Sequence, residues 1–507
     1  MQPSRVVSLD QLQGLARSAR SEGRRVVLCH GTFDLLHVGH IRHLRRARDE
    51  GDLLLVSITG DRYVNKGPGR PVFSEQMRAE ALAALACVDG VAIHQGASGI
   101  EVIEALRPHV YAKGSDYAPP AEDLTGNLER ERRAVEALGG RLFFTDEITF
   151  SSTSLLNEHF GVFPPETRQF LRSFAARHPA EAVIEAVRGL RPLRALVVGD
   201  AIIDEYHYAT PLGQPTKGQG LAVSFDSAEQ FAGGALAVAN HLGSFCDQVT
   251  LATGIGADAE AEHFLRSRLQ KSVEPRFFVS QRSGTLIKRR FVDADLNKLF
   301  EVYLRDGEDS DPEVEARALR WLDQNAADFD LLVVPDFGNG FISRRMVEVL
   351  CQRARFLAVN TQLNAGNRGF HAIHRYARAS FVSLNEPELR LAAHNRSDPV
   401  ELLAEAVAAQ VGCEAIAVTR GVKGLVLHDR RRGEHIRVPA LSTRVVDRIG
   451  AGDAFLSLAA LGLAGGLSGQ VAAFVGSAAA ALDVQIVCNR EPVSSVKLFK
   501  YVTTLLK

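Results

Sequence analysis

Short apolar runs alternate with longer, polar-faced stretches across residues 24–158. "RRVVLCH" (24–30), "DLLLVSITG" (52–60), "GVAIH" (90–94) and "VYAKG" (110–114) have the pattern of buried strands. Between them, "HIRHLRRARDEG" (40–51), "SEQMRAEALAALACV" (74–88) and "GIEVIEALRP" (99–108) read as helices. Such alternation predicts a parallel sheet with helices packed on its faces. The pattern changes near residue 162. "FPPETRQFLRSFAARHPAEAVIEAVRGLRP" (163–192) opens on a proline pair, carries a helical period and closes on proline, which predicts a linker with one or two helices. At "LRALVVGDAIID" (193–204) a new strand begins, and a second α/β domain runs to the end. The expected division is a domain over 1–160, a helical linker over 161–191 and a domain over 192–507.

Composition narrows the class. A chain of 507 residues exceeds what one core usually serves, and 46% hydrophobic with 23% charged residues fits an ordinary globular protein. The formal net charge of -1 and the lack of a long basic run argue against a nucleic-acid partner. Six cysteines are scattered singly with no CxxC pair, as expected of buried thiols in a reducing compartment. The N-terminus lacks the apolar core of a signal peptide. Ala454 to Leu482 is uncharged and rich in Ala and Gly but is interrupted by "GGLSGQ", so it reads as two packed helices rather than a membrane span. A cytoplasmic protein with no membrane partner is the expectation.

"GTFDLLHVGH" (31–40) follows the first strand. If a helix starts near His37 to His40, the two histidines share one face of its first turn. That turn offers unpaired N–H groups and the positive end of the helix dipole, and Gly39 lets a ligand approach the backbone. The combination suits a polyphosphate. Zinc is the competing reading, but no third ligand of obvious spacing follows, and helix-borne zinc pairs usually sit at i, i+4.

This stretch resembles the HxGH nucleotidyltransferase superfamily. More closely, residues 24–157 are similar to the nucleotidyltransferase domain of bifunctional heptose kinase/adenylyltransferases. The matching pieces are "GTFDLLHVGH", "GRPVFSEQMRAEALAALACVD", "LRPHVYAKGSDY", "EALGGRLFF" and "SSTSLLN". The resemblance implies a Rossmann-like domain in which a sugar 1-phosphate attacks the α-phosphate of a nucleoside triphosphate and pyrophosphate leaves. The nucleophile is already anionic, so the site supplies positioning and charge neutralisation and needs no base. By resemblance His37 and His40 hydrogen-bond the triphosphate, with Thr32 at the same loop. Lys66, Arg70 and Arg78 are implied as cationic partners. Lys113, Asp116 and Tyr117 would line the acceptor or nucleotide pocket, and Ser152 and Thr153 would open a late phosphate-binding helix. A magnesium ion on the triphosphate is expected. Class I aminoacyl-tRNA synthetases share HxGH, but no KMSKS-like motif appears here.

Near the other end stands "VVDRIGAGDAFLSLAALGLAGG" (445–466). Glycines on either side of Ala451 make a tight turn whose amides can point into one spot at the start of an apolar helix. Asp453 sits directly in it, and could be an N-cap. In a kinase acting on an alcohol it would be the general base, because a hydroxyl is a poor nucleophile until its proton is accepted.

Residues 194–500 resemble the ribokinase-like (PfkB) sugar kinases, which implies an α/β/α domain. "VVGDAIIDEY" places Asp204 on the sugar, and "EQFAGGALAVANHL" brings Gly233 and Gly234 close to it. "TLIKRRF" supplies Lys288 and Arg290 near substrate or phosphate. "SLNEPEL" matches N-x-x-E, so Asn385 and Glu388 would hold a magnesium–phosphate network through water, with no direct protein ligand to the metal. "AVTRG", with Thr419 and Gly421, and "DRIGAGDAF", with Gly450, Ala451 and Gly452, complete the nucleotide side.

Two places depart from the family. Ala237 stands where sugar kinases commonly carry asparagine, and Asn360, Thr361 and Gln362 stand where heptose kinases carry D-P-K. The substrate pocket therefore differs while the base position is kept. The domain order also differs, since the familiar bifunctional heptose enzymes put the kinase first. The expected function is bifunctional synthesis of a nucleotide-activated sugar, nearest to ADP-heptose, with ATP as phosphoryl donor and ATP or CTP as nucleotidyl donor. Its partners would be sugar phosphates and nucleoside triphosphates, and a homodimer is expected. The alternatives are another sugar or polyol with CTP, or a kinase domain kept only as a binding or dimerising module.

Overall fold

Strands buried along nearly their whole length must be covered on both faces, and the β-strands at residues 26–31 and 53–59 are of that kind. The computed structural model describes residues 5–64, 70–96, 98–114, 127–145, 163–305, 307, 311–364, 366–367 and 371–507. The chain divides into two compact units: residues 1–164 with 499–505 and 507, and residues 165–498 with 506.

In the first unit the order is α1 (Leu9–Ser21), β1 (Val26–Gly31), α2 (Val38–Arg48), β2 (Leu53–Thr59), α3 (Glu75–Ala83), β3 (Gly90–His94), α4 (Ile100–Leu106), β4 (Val110–Gly114), α5 (Asn127–Ala137) and β5 (Arg141–Thr145). The strands form one parallel sheet in the order β3-β2-β1-β4-β5. Alternate residues serve opposite faces. Val27, Cys29, Leu54 and Val56 pack with Leu44 and Ala47 of α2 and Leu82 of α3, whereas Val26, Leu28, Leu53 and Leu55 pack with Leu12 of α1 and Val102 and Ile103 of α4. The strand order reverses between β1 and β4. In such sheets the crevice at the carboxyl ends of those two strands is where ligands bind.

The second unit begins with α6 (Pro165–Arg177) and α7 (Ala180–Arg188). These helices occupy the segment expected to be a linker, yet they pack as part of this unit: Leu171 and Phe174 are buried, and the Phe174 ring stacks on Phe474 with centroids 4.2 Å apart. The strands that follow are β6 (Arg194–Val198), β7 (Ala201–Gly213), β8 (Ala222–Gly234), β9 (Gln248–Gly256), β10 (Val273–Ser280), β11 (Leu286–Val292), β12 (Lys298–Leu304), β13 (Leu331–Asp336), β14 (Leu357–Thr361), β15 (Phe381–Asn385), β16 (Ala415–Thr419), β17 (Leu425–Asp429) and β18 (Glu434–Val438). Helices α8 (Ala235–Gly243), α9 (Ala259–Ser267), α10 (Pro312–Asn325), α11 (Arg344–Arg353), α12 (Glu386–Ala392), α13 (Val400–Val411), α14 (Ala451–Ala464) and α15 (Gly469–Asp483) complete it. Nine strands form a sheet in the order β10-β9-β6-β13-β14-β15-β16-β17-β18, parallel as far as β16. The uncharged stretch that begins at Ala454 is split between α14 and α15, and no helix among the described residues is long and apolar enough to cross a membrane.

A separate four-stranded sheet, β12-β11-β7-β8, was not foreseen from the apolar pattern. Its strands are half exposed, with the alternating burial of a sheet covered on one face. Within it β7 runs parallel to β11, setting Asp204 opposite Lys288 and Tyr206 opposite Arg290. The chemistry-bearing residues of this sheet are therefore aligned by register.

Candidate active sites

In the first unit, β1 ends at Gly31 and the chain turns sharply before α2. Phe33 adopts φ +46, a left-handed conformation that costs a non-glycine residue about 1–2 kcal/mol. Its ring is buried and meets His40 edge-on, with centroids 5.4 Å apart. His37 is the N-cap of α2, its Nδ1 accepting the Gly39 N–H at 3.0 Å. In the neutral ring the hydrogen therefore sits on Nε2, a donor suited to a phosphate oxygen. The His37 and His40 rings lie 4.0 Å apart at the positive end of the helix. Among the described residues no group of three or more His, Cys, Asp or Glu is arranged to hold a metal ion.

The cations behind this turn are held by the protein itself. Arg78, read from sequence as a phosphate partner, is buried and fully engaged. Its Nε donates to Phe73 O (3.0 Å), one terminal nitrogen to Thr32 O, and the other to Thr59 O (2.8 Å) and Asp61 Oδ1 (2.6 Å). It clamps the Thr32 loop from behind, where the carbonyls at the ends of β1 and β2 would otherwise lack donors. Arg70 pairs with the equally buried Asp34 at 3.0 Å, and Asp34 also accepts the Val72 N–H at 2.7 Å. Lys113, expected to line a ligand pocket, is buried with Nζ 3.0 Å from Glu131 Oε2 and 3.3 Å from His30 O. Glu131 further accepts the Gly99 N–H (2.7 Å) and the Tyr111 hydroxyl (2.9 Å). Asp34 and Glu131 were missed from sequence, because nothing local marks a carboxylate whose partner is many residues away. Burial holds the imidazole of His30 well below its ordinary pKa and that of His43 at about 4. Lys66, Asp116, Tyr117, Ser152 and Thr153 lie outside the described residues.

In the second unit, Asp204 leaves β7 buried, with one oxygen held by Arg290. The double glycine exists to admit it: a Cβ on Gly233 would overlap Asp204 Oδ2. Gly234 adopts φ +61, where a side chain would also strike Asp200 O. Lys288 is buried beside them, its Nζ 5.4 Å from the Tyr303 ring centroid and 5.6 Å from that of Phe337. Burial lowers its pKa, and the Asp204 charge opposes that shift.

Gly450, with φ +99, opens α14, and its carbonyl accepts the N–H groups of Asp453 (2.8 Å) and Ala454 (2.9 Å). A Cβ on Gly452 would meet open space, so none of the described residues obstructs that side of the turn. Asp453 stands in the first turn but does not cap it: its carboxylate accepts no hydrogen bond from the described residues. Burial pushes the Asp453 carboxyl up to about 7, reinforced by the charge of Asp204 and opposed by Lys288. An uncommitted carboxyl titrating near neutrality fits a general base better than a cap.

The N-x-x-E pair has a structural use. Asn385 and Glu388 form a reciprocal capping box on α12, and Glu388 Oε1 also accepts the Leu363 N–H at 3.2 Å. Burial pushes Glu388 up to about 7 against those donors. Each carboxylate oxygen retains a lone pair, so the residue fits a water-mediated hold on a phosphate-bound magnesium ion. Thr419 ends β16, Gly421 follows at φ +57, and Val422 next to it is 82% exposed. Ala237 is buried in α8 with no polar group to offer, and the Asn360 amide is spent on Ser383 O at 2.8 Å.

Two family models match the chain, one in each unit. The family model for pfkB family carbohydrate kinases matches residues 193–492, more than half of the chain, and a cytidylyltransferase-like model matches residues 28–158. The chain belongs to the pfkB family carbohydrate kinases. It is 40% identical over 157 residues to the Bifunctional protein HldE of Pelobacter propionicus, covering 31% of each chain. It is 41% identical over 155 residues to that of Methylobacillus flagellatus, covering 30% of each. The chain thus spans under a third of the length of these relatives, and the matched stretch lies in its N-terminal part. The second unit has the fold of Escherichia coli phosphofructokinase-2, with a TM-score of 0.51 at 15% identity over 62% of this chain and 100% of that one.

Proposed function

We propose that the protein is a bifunctional transferase of nucleotide-sugar synthesis. Its second unit phosphorylates a sugar hydroxyl with ATP, and its first transfers a nucleotidyl group from a nucleoside triphosphate to a sugar 1-phosphate, releasing pyrophosphate. The observation that carries the reading is Asp453: an unbonded carboxyl, pushed up to about 7, in the first turn of a helix opened by a glycine turn. In the kinase Asp204 orients the sugar, Asp453 accepts its hydroxyl proton, and the amides of Ala451 and Gly452 receive the developing charge. Magnesium would neutralise the phosphates, held through water by Glu388. In the transferase His37 and His40 bind the triphosphate, with Lys66, Ser152 and Thr153 as further candidates for that role and Asp116 and Tyr117 as candidates for binding the acceptor or the nucleotide. Arg78, Arg70 and Lys113 act there by holding the loops that carry the site.

A heptose phosphate-like sugar and ATP are the first choice of substrates, because the similar relatives carry the HldE name. CTP as nucleotidyl donor is the second reading, favoured by the cytidylyltransferase-like match. The compounds used are those of the cytoplasm, and a homodimer is the expected assembly. A panel of sugars and sugar phosphates with ATP or CTP tests the proposal, with ADP and pyrophosphate release scored separately. One acceptor should support ADP release and a sugar 1-phosphate should support pyrophosphate release. Failure of every sugar to yield ADP, with Asp453 intact, would leave the second unit as a binding module.

A further inference from the structure

A Cβ built on Gly450 would lie 2.7 Å from Asp483 Oδ2 and 2.7 Å from Asn489 Oδ1. Both atoms therefore stand directly behind the glycine that shapes the phosphate-facing turn. Asp483 ends α15 and is 0% exposed, and neither of its carboxylate oxygens has a hydrogen-bond partner among the described residues. Asn489 Oδ1 has none either. Both acceptor oxygens thus face one glycine without a hydrogen-bond partner, an arrangement that proteins avoid unless a proton or a cation is supplied.

The surroundings supply no positive charge. His241 on α8 approaches from one side, its Nε2 3.6 Å from Asp483 Oδ1. Its Nδ1 accepts the Val493 N–H at 3.1 Å and burial holds its pKa at about 4, so the ring is neutral near pH 7 and its Nε2–H faces Asp483 Oδ1 from just beyond hydrogen-bond distance, leaving Oδ2 for Asn489. Asp453 on α14 and Asp447 in the preceding loop are the other ionisable neighbours, and both are acids. Asp447 is already occupied, accepting the Tyr206 hydroxyl (2.7 Å) and the N–H groups of Cys488 and Ile449 (3.0 Å each). The Cys488 thiol, beside Asn489, is kept protonated by burial.

We propose that Asp483 is a positioning residue of the kinase anion hole, keeping its proton and donating it to Asn489 Oδ1 so that the pair braces Gly450 from behind. The inference rests on the kinase reading of the second unit. One hydrogen turns two orphaned acceptors into a bonded pair, which a carboxylate and an amide oxygen cannot form without it. Burial, with the charges of Asp453 and Asp447, pushes the Asp483 carboxyl well above its ordinary range, the direction this bond requires. Two acids with opposite requirements then serve one turn. Asp453 must lose its proton to act as base. Asp483 must keep its own, because its ionisation would place a negative charge behind the amides of Ala451 and Gly452 and oppose the transferring phosphoryl group.

The kinase should therefore have a bell-shaped pH profile, and the test is that profile in the full chain. In Asp483→Asn an amide N–H replaces the acid hydroxyl, so activity near neutrality is retained and the alkaline fall disappears. Asp483→Ala, lacking a donor, loses about tenfold in kcat, the size expected for one lost hydrogen bond. Asn489→Ser approaches the same bond from the other side, moving the alkaline limb to lower pH. An alkaline limb unchanged in Asp483→Asn overturns the proposal. So does potassium-dependent activity in the native protein that vanishes in Asp483→Asn, because a cation would then occupy the gap. An infrared difference spectrum, native minus Asp483→Asn, needs no turnover: the carbonyl stretch of a protonated acid is expected, and its absence overturns the inference. That band without any sugar kinase activity would refute the kinase reading alone.

Discussion

The two units handle phosphate with opposite electrostatics. In the first, Arg78, Arg70 and Lys113 are each tied to a carboxylate or a carbonyl of the same unit, and the proposed phosphate grip is left to two histidines at a helix start. In the second, Asp453 keeps its carboxyl clear of donors, and it shares its surroundings with the acidic Asp204 and Glu388 and the basic Lys288. The difference follows from the nucleophile. A sugar 1-phosphate arrives charged and needs only to be held, so the scaffold can spend its cations on rigidity. A hydroxyl needs a proton acceptor, which is useful only if it is left unbonded and its pKa is raised.

The contrast is broken most directly at Asp453. Asp453→Asn should lower sugar phosphorylation by about 10²–10⁴-fold while leaving pyrophosphate release unchanged. Equal ADP release by both proteins would remove the base from the kinase. Next comes Arg78→Met, which removes the ion pair to Asp61 and leaves the carbonyls of Thr32, Thr59 and Phe73 without their guanidinium donor. Loss of a buried charge network of this kind costs roughly 3–5 kcal/mol, read as a lower unfolding midpoint of the first unit. A native-like midpoint would mean that the clamp is dispensable. His40→Ala should reduce pyrophosphate release by about 10²–10³-fold, as for removal of a phosphate-facing donor, and spare ADP release.

A pH series sharpens the comparison further. The Asp453 carboxyl is raised to about 7, so the base is protonated and idle at low pH, and kinase kcat/KM should climb through about pH 7 on the acid side of its bell-shaped profile. The transferase, lacking a base, should show no limb of that origin. A common limb in both activities would point to folding rather than catalysis. The smallest effect is expected at the capping box: Asn385→Ala should cost about 1 kcal/mol in stability of the second unit. A much larger drop in kinase kcat than that stability change explains would support the magnesium–phosphate role of the Asn385–Glu388 pair.

Much of this arrangement was legible in the chain. The unbroken apolar runs led to the parallel sheet of the first unit because a strand covered on both faces has no polar side to show. "GTFDLLHVGH" and "GAGD" could be read because their chemistry is local: a glycine turn followed by a helix start produces an anion site wherever it folds. The small sheet β12-β11-β7-β8 was not legible, since its half-exposed strands carry charges on both faces of the pattern. Nor was the fate of the arginines. Arg78 and Lys66 look alike in sequence as cations near a phosphate motif. Only the closure of Asp61, Thr59 and Thr32 around Arg78 made it a clamp.

The sequence by itself determined the local devices and the two α/β domains: helix starts, glycine turns, and the placing of Asp453 in the first turn of a helix and of Asp204 on a strand. These depend on residues a few positions apart, and short-range backbone geometry is enough to set them. Only the tertiary structure decided which charges are available for chemistry. It buried Asp483 behind Gly450, left Asp453 unbonded and tied Lys113 to Glu131. A side chain's charge state depends on everything packed around it, and those neighbours come from strands and helices far apart in the chain.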